Sequence, residues 1–267
     1  MPANYHTFKG EIYQGRYVSG IAAGLKLREL IDQHVIIPEE ALVGYVGAFP
    51  SAAVISGYTA FLLGIRSVAP EAVMKVKYTN TWGNYSVEKL CAKSLIEEGC
   101  IIISQYSDTI GPAVSCEEAA GYRQSFFVGY NQSMLDVAPT TALVSTRINW
   151  VPYIVSAVEA VMKNKAIESY VKGNVHENDI SAGFDKNWVQ ILELNTLIAV
   201  EGTEEKMNEA INGLKKGTLQ VFKGDYLGVN PEDETDTIDL NQGFAENADS
   251  SSLAFHYVLK DVITIED

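Results

Sequence analysis

The residues best suited to chemistry are recognition groups. Trp82 and Trp150 each stand just outside a regularly patterned stretch. An indole in such a place can stack on a planar heterocycle; packing in a core or at a hinge is the plain alternative. Asp108 closely follows the apolar run Cys100–Ser104. A carboxylate there can accept hydrogen bonds from an exocyclic amine, a ring N–H or ribose hydroxyls, or can cap the helix that begins near Gly111. Asn131 offers donors and an acceptor, and suits an adenine-like edge or a sugar; otherwise it is a turn residue.

Catalytic patterns are absent. There is no Gly-x-Ser-x-Gly elbow and no phosphate-binding Gly-x-x-x-x-Gly-Lys-Ser/Thr. The glycine pair Gly44 and Gly47 lies inside a strand pattern and lacks the third glycine of a dinucleotide fingerprint. His6, His34, His176 and His256 are scattered, with no zinc-ligand spacing. The carboxylate pairs Glu97-Glu98 and Glu117-Glu118 read as solvated helix surface. These absences argue against an enzyme, a metal site and a cofactor.

The elements that must position the recognition groups alternate. Leu42–Ala48, Val73–Thr79, Cys100–Ser104 and Ser125–Gly129 read as strands, rich in β-branched or aromatic residues. Between them, Ala53–Ser67, Ser86–Glu98 and Gly111–Ala120 carry helical periodicity, as does Tyr17–Gln33 before them. Ser86 is a candidate N-cap and Gly99 a candidate C′ residue. The alternation predicts a parallel sheet flanked by helices. Ligands then bind beyond the carboxyl ends of the strands. The four exits there are Phe49-Pro50-Ser51, Asn80–Tyr85, Gln105–Thr109 and Tyr130-Asn131-Gln132, all rich in aromatic, amide or carboxylate side chains. Further on, Thr140–Thr146, Val189–Leu194, Leu219–Lys223 and Ala254–Leu259 read as strands, and Val151–Lys163 and Thr203–Lys216 as helices.

Composition sets the outer bounds. The chain has 267 residues, 47% hydrophobic, with a formal charge of −14. It can bury a sizeable core, and its acidity argues against nucleic acid as a partner. Most of the excess lies in the segment from Asp225 onward, where eleven acids face the single base Lys260; a solvated segment is expected. Cys91, Cys100 and Cys116 show no framework spacing and read as buried reduced thiols. The opening residues lack the basic and apolar regions of a signal peptide.

Several blocks in order resemble a known family. Residues 43–109, from VGYVGAFPSAAV through NTWGN to QYSDT, are similar to the basic membrane protein family of ABC-transporter substrate-binding lipoproteins, which includes purine nucleoside receptors. The likeness continues through VGYNQSMLDVAPTTALVSTRINW and reaches GFDKNWVQI at residues 183–191. It implies a type I periplasmic-binding-protein fold, α/β, with two lobes joined by a hinge and closing on a purine base or nucleoside. The exits and the resemblance together nominate Phe49, Trp82, Gln105, Asp108, Thr109, Asn131, Trp150 and Asp185 as ligand-binding residues. Nucleoside receptors often carry Asp where this chain has Asn131, a departure that bears on ribose recognition. Family members also carry a longer segment ahead of the part matched here, with a signal, a lipidated cysteine and most of the first lobe.

The resulting expectation divides the chain into residues 1–40 (remnant of the first lobe and crossover), 41–135 (second lobe), 136–175 (return to the first lobe), 176–225 (second lobe continued) and 226–267 (acidic segment). An incomplete first lobe would leave apolar surface on the helices Tyr17–Gln33 and Val151–Lys163, and so favour self-association or pairing with the missing segment. The family implies a permease partner and a cell-surface or periplasmic lipoprotein; the lack of a signal peptide here leaves a cytoplasmic location open. Rival readings are an intracellular ligand-sensing regulator on the same fold and, least favoured, a small α/β enzyme acting on nucleosides.

Overall fold

The structure, a computed structural model, describes residues 4–266. Met1, Pro2, Ala3 and Asp267 lie outside the described residues. The chain opens with β1 (Thr7–Gly10) and α1 (Ile12–Asp32). Strands and helices then alternate: β2 (Leu42–Gly47), α2 (Ala52–Arg66), β3 (Val73–Tyr78), α3 (Tyr85–Glu97), β4 (Ile102–Tyr106), α4 (Gly111–Ala119) and β5 (Phe126–Tyr130). Next come β6 (Ala142–Ile148), α5 (Val151–Met162), β7 (Asn174–His176), β8 (Asp179–Ala182), β9 (Val189–Ile191) and α6 (Thr203–Lys215). The last segment contributes β10 (Leu227–Asn230), β11 (Asp233–Asp239), β12 (Val258–Leu259) and β13 (Ile263–Glu266).

The main sheet has seven strands in the order β13-β3-β2-β4-β5-β6-β9. All neighbours are parallel except β6 and β9. The parallel pairing expected from the alternation of residues 42–129 is therefore present. Each central strand is apolar on both faces, as a doubly covered sheet requires. Val43, Tyr45, Ile102 and Val128 pack with the α1 and α2 side chains, while Val46, Ile103 and Phe127 pack with those of α3 and α4. Strand periodicity of two makes that division. The chain steps from β2 out to β3 and then back past β2 to β4, so the strand order reverses between β2 and β4. In open α/β sheets the ligand crevice lies beyond the carboxyl ends at such a reversal.

Two expectations about α1 change. The helix begins at Ile12, five residues before the periodicity suggests, and it is largely buried rather than left with a bare face. The reason is close backbone packing against α2. A Cβ on Gly20 would fall 2.3 Å from the Phe61 carbonyl oxygen, and one on Gly64 would fall 2.0 Å from that of Tyr17. Only glycine permits this approach. The other helix singled out, α5, does leave an apolar stripe exposed: Val151, Ile154, Val155, Val158, Val161 and Met162 are all 49% exposed or more.

The acidic last segment folds back onto the body instead of extending into solvent. β13 pairs with β3 at the edge of the main sheet. Phe222 and Phe255 stack at 4.4 Å, with Tyr13 of α1 5.6 Å from Phe222. Expected strands also shrink: Val189–Leu194 keeps only Val189–Ile191, and two others lose more. Leu219–Lys223 forms one isolated bridge, Phe222 to Phe244, and of Ala254–Leu259 only Val258 and Leu259 pair as a strand. The buried Glu246 explains the second: its carboxylate accepts the backbone N–H of Ala254 and of Phe255 at 3.0 Å each, so neither needs a ladder partner. Two further small sheets complete the fold, β1-β8-β7 and β11-β10-β12.

All three thiols are unpaired; Cys100 and Cys116 are buried, but Cys91 is only partly so. Burial pushes the Cys100 thiol up to about 12. No helix of the described residues is long and apolar enough to cross a membrane.

Candidate functional site

β2, β3, β4, β5 and β6 run in one direction, so their carboxyl ends share one edge of the sheet. Phe49, Trp82, Asp108, Asn131 and Trp150 leave that edge in turn. The antiparallel β9 starts there, because Val189 pairs with Ile148, and this brings the preceding Asp185 loop to the same end.

A row of aromatic rings lines the edge. The centroids of Phe49 and Trp82 are 5.6 Å apart, those of Trp82 and Tyr106 6.3 Å, and those of Tyr106 and Tyr130 4.6 Å. Trp82 is 44% exposed, whereas Tyr106 and Tyr130 are almost covered. Beside the row is a cavity of about 190 Å³ lined by Gln105, Ser107, Asp108, Thr109, Tyr130, Asn131, Gln132 and Met134. Four nominated residues, Gln105, Asp108, Thr109 and Asn131, thus meet in one space, with Phe49 and Trp82 in the adjoining row.

Trp150 and Asp185 stand apart. Trp150 meets Phe8 of β1 edge-on at 5.6 Å, in a separate cluster with Tyr153 and Trp188. Asp185 accepts the N–H of Gly183 at 3.3 Å and forms an ion pair with Lys186 at 2.8 Å. It lines a larger concavity, an open groove of about 1130 Å³ between β9 and α6, which none of the other nominated residues lines. That groove flanks an edge strand rather than the reversal between β2 and β4, so the smaller cavity is the better candidate on topological grounds.

Local folding explains the small cavity. Asn84 caps α3, its side chain accepting the N–H of Val87 at 3.2 Å; Ser86, the residue favoured by the sequence, lies inside the helix. Gly99 ends α3 at φ +95°, as expected of a C′ glycine. Asp108 does not cap α4: the N-cap is Ile110, and Thr109 Oγ1 accepts the N–H of Gly111 at 3.2 Å. Asn131 takes a left-handed conformation at φ +64°, which asparagine tolerates, and donates its N–H to the Thr146 carbonyl at 2.8 Å.

Glu88, in the first turn of α3, joins two of the exits. It is fully buried. Its carboxylate accepts Ser107 Oγ at 2.7 Å, the N–H of Thr109 at 3.1 Å and the N–H of Asn84 at 3.0 Å. Burial, with the Glu88 charge nearby, raises the Asp108 carboxyl above its ordinary range. Gln105 donates its amide N–H groups to the carbonyls of Ser107 and Thr109, both at 2.8 Å. Its own Oε1 is buried without a partner. The cavity lining offers the Asp108 carboxylate as an acceptor and the Asn131 and Gln132 amides as both donors and acceptors, and an aromatic face lies beside it. Among the described residues no group of three or more His, Cys, Asp or Glu side chains could hold a metal ion.

A family profile described as ABC transporter substrate-binding protein, PnrA-like (Bmp), matches residues 3–221. The chain belongs to this family. It is a family of binding proteins rather than enzymes. A purine-binding protein of Brucella abortus is 30% identical over 159 residues, covering 60% of this chain and 41% of that protein. A Haloferax volcanii protein named for ABC-transporter glucose binding is 33% identical over 158 residues, covering 59% of this chain and 37% of its own length. The chain thus spans about two fifths of the curated relatives it matches. Among solved structures, a solute-binding protein from Aeropyrum pernix aligns at TM-score 0.56 and 15% identity, over 79% of this chain and 59% of that one. One from Conexibacter woesei aligns at TM-score 0.55 and 15% identity, over 80% and 64%. These two establish the periplasmic-binding-protein type of α/β fold.

Sequence reasoning passed over Glu88 and Arg16. For Glu88 the local signal misses by one residue: a capping box places the acid three residues after the cap, whereas Glu88 lies four after Asn84. Arg16 is an ordinary basic residue in an amphipathic-looking stretch, and only the fold reveals that it is buried.

Proposed function

We propose that this Bmp-family chain is the solute-binding component of an ABC importer and takes a purine base or nucleoside at the β2–β4 reversal. The observation that carries this reading is the meeting of Gln105, Asp108 and Asn131 in one cavity beside the Phe49–Trp82–Tyr106 row. A purine needs a flat apolar surface and a few polar partners at its edge, and this arrangement offers both. The likeness to a purine-binding protein supports the same ligand class. Trp150 and Asp185, at the same end of the sheet, would be drawn to the ligand by hinge closure of a two-lobed receptor. The permease is the partner the family implies, and an extracytoplasmic location goes with that role. A glucose-type ligand is the second reading, favoured by the Haloferax relative.

Isothermal titration of the chain with adenine, hypoxanthine, adenosine, inosine and glucose tests this. Micromolar or tighter binding of at least one purine, weakened by Trp82→Ala, is the expected result. Binding of glucose alone, or purine binding unaffected by changes at Trp82, Asp108 and Asn131 together, would overturn the assignment.

A further inference from the structure

The small sheet β1-β8-β7 and α5 enclose a core of their own, in which Phe8, Tyr153, Ile180 and Trp188 pack together. Among the described residues the chain passes between this unit and the main sheet at three places: before α1, between β6 and α5, and between β8 and β9. α5 covers one face of the small sheet. Strand alternation turns Thr7, Lys9, Asp179 and Ser181 to the other face.

On that other face lies the loop of residues 246–255. It falls beyond residue 221, where the match to the family profile ends. Both of its feet stand on the main body. Glu246 accepts Ser56 Oγ of α2 at 2.7 Å and the N–H groups of Ala254 and Phe255, which close the loop at its base. Phe255 stacks on Phe222 in the main core. The tip crosses to the small sheet. Ser251 donates its N–H to the Asp179 carboxylate of β8 at 2.6 Å, and Thr7 Oγ1 of β1 donates to the same carboxylate at 2.6 Å. Asp179 and Ser251 are both buried. Lys9 of β1 adds an attraction to the charge of Glu246.

The tip is organised for this contact. Asn247, left-handed at φ +58°, donates its side-chain amide to the carbonyls of Ser250, Ser251 and Ser252 at 3.2, 2.8 and 3.3 Å. That turns the serine carbonyls inward and leaves the Ser251 N–H for Asp179. A hydrogen bond to an ionised carboxylate is a strong one, and a buried N–H that loses it has nowhere else to go. In this arrangement Trp150, at the start of α5, and Asp185, between β8 and β9, stand apart from the candidate cavity. Closure that brings them to a ligand moves the small unit against the body and draws Asp179 away from Ser251. A contact made in the open form and lost in the closed one shifts the equilibrium away from the form that binds.

We propose that the loop of residues 246–255 is a clasp that holds the small unit in its open position and opposes closure on ligand. The restraint is carried by residues outside the family profile. Its effect on affinity rests on the purine reading above; its effect on the two units does not.

Spin labels on Val175→Cys of β7 and Leu90→Cys of α3, both exposed positions, report the separation of the two units. Cys91→Ser removes the partly exposed native thiol. Double electron–electron resonance compares this labelled chain with two variants of it, each checked for folding by circular dichroism. In one, Gly-Gly replaces residues 247–252; in the other, Asp179→Ala removes the acceptor. The parent should give one narrow distance distribution. In each variant that folds, the distribution should become about twice as broad or gain a second distance. Unlabelled versions of the variants should bind adenosine or inosine about threefold or more tighter than wild type in titration calorimetry, because less of the binding energy goes into closure. An unchanged distance distribution in a folded variant overturns the clasp. Broadening with unchanged or weaker purine affinity overturns its opposition to closure. Failure of wild type to bind any purine refutes the purine reading, and the distance distributions then decide the clasp on their own.

Discussion

Asp108 donates its backbone N–H to the carbonyl of Trp82 at 2.8 Å. One hydrogen bond thus ties the β3 exit, which carries the most exposed ring of the aromatic row, to the β4 exit, which carries the cavity's carboxylate. Glu88 braces both exits from below, through Asn84 on one side and Ser107 and Thr109 on the other. Trp82 and Asp108 are positioned as a unit, and their contributions to binding should not be additive.

Glu88→Gln should loosen that unit. A glutamine offers one acceptor oxygen where the three donors now use two, and its NH₂ would face an N–H or O–H that needs an acceptor. Leaving buried donors unmade costs about 1–3 kcal/mol. Thermal unfolding should show a loss of that order. Ligand affinity should fall too, since both Trp82 and Asp108 lose their support. A variant with unchanged melting temperature and unchanged affinity would contradict the bracing role.

Trp82→Ala should weaken purine binding by about 1–3 kcal/mol, the usual range for a base stacked on an aromatic platform. Stability should change little, because the ring is 44% exposed. Trp150 is 45% exposed, so Trp150→Ala should also change stability little, and its loss of affinity should be the smaller of the two because the ring lies in the separate cluster with Phe8. Equal affinity losses for the two variants would show that both rings touch the ligand.

The Asp108 carboxyl titrates above its ordinary range because of burial and the Glu88 charge. Ligand binding that needs the carboxylate as acceptor should be full at neutral pH and fall as the solution is acidified through that raised value. The fall should begin at a higher pH than an unperturbed aspartate would give. Asp108→Asn should bind more weakly at neutral pH and lose this acid limb. Affinity measured from pH 7 to pH 4 checks both points.

Glu98 is a contrasting case. Hydrogen bonds and ion pairs from Lys75 and Lys77, with Ser94 Oγ at 3.0 Å, hold its carboxyl at about 2, against an ordinary value of 4.5. A depressed folded value means stabilisation that is complete above 4.5 and disappears as pH falls toward 2. Acid unfolding of Glu98→Gln should be less steep across that window than for wild type, with the two chains closest in stability at its lower end.

The apolar stripe of α5 predicts association. Sedimentation should show a concentration-dependent rise in mass for wild type, and Ile154→Glu with Val158→Glu should shift the chain toward monomer. Both positions are half exposed, so the paired change should leave the fold intact. A wild-type monomer at high concentration would remove the stripe from consideration as a contact surface.

The parallel core was readable because each strand between Leu42 and Tyr130 is a short apolar run and each intervening helix carries its own end signals, such as Gly99. The exits followed from that order, which is why Gln105, Asp108, Thr109 and Asn131 could be grouped before their cavity was seen. Three features were hidden for physical reasons. Burial of α1 depends on Gly20 and Gly64 meeting backbone from a distant helix, which no local periodicity encodes. The tail reads as solvated because its charge is counted by residue, whereas its docking depends on Phe222, Phe244 and Phe255 and on Glu246 turning inward. Trp150 and Trp82 look alike in sequence, and only the packing of Trp150 on Phe8 of β1 separates them.

The pairing of β13 with β3 has a consequence for how the molecule comes to be made. Met74 and Ile263 are register partners about 190 residues apart. During synthesis β3 therefore emerges long before its outer neighbour and spends that interval as an open edge, with unsatisfied backbone groups available to any extended strand that meets it. Lys75 and Lys77 on β3 are the sort of charges that discourage such encounters, and in the finished protein Lys75 goes on to pair with Glu266 of the late-arriving strand. Deleting residues 263–266 should leave binding at the β4 and β5 exits largely intact while raising aggregation during expression. The acidic segment would then be acting as an edge protector that the ribosome delivers last among the strands described.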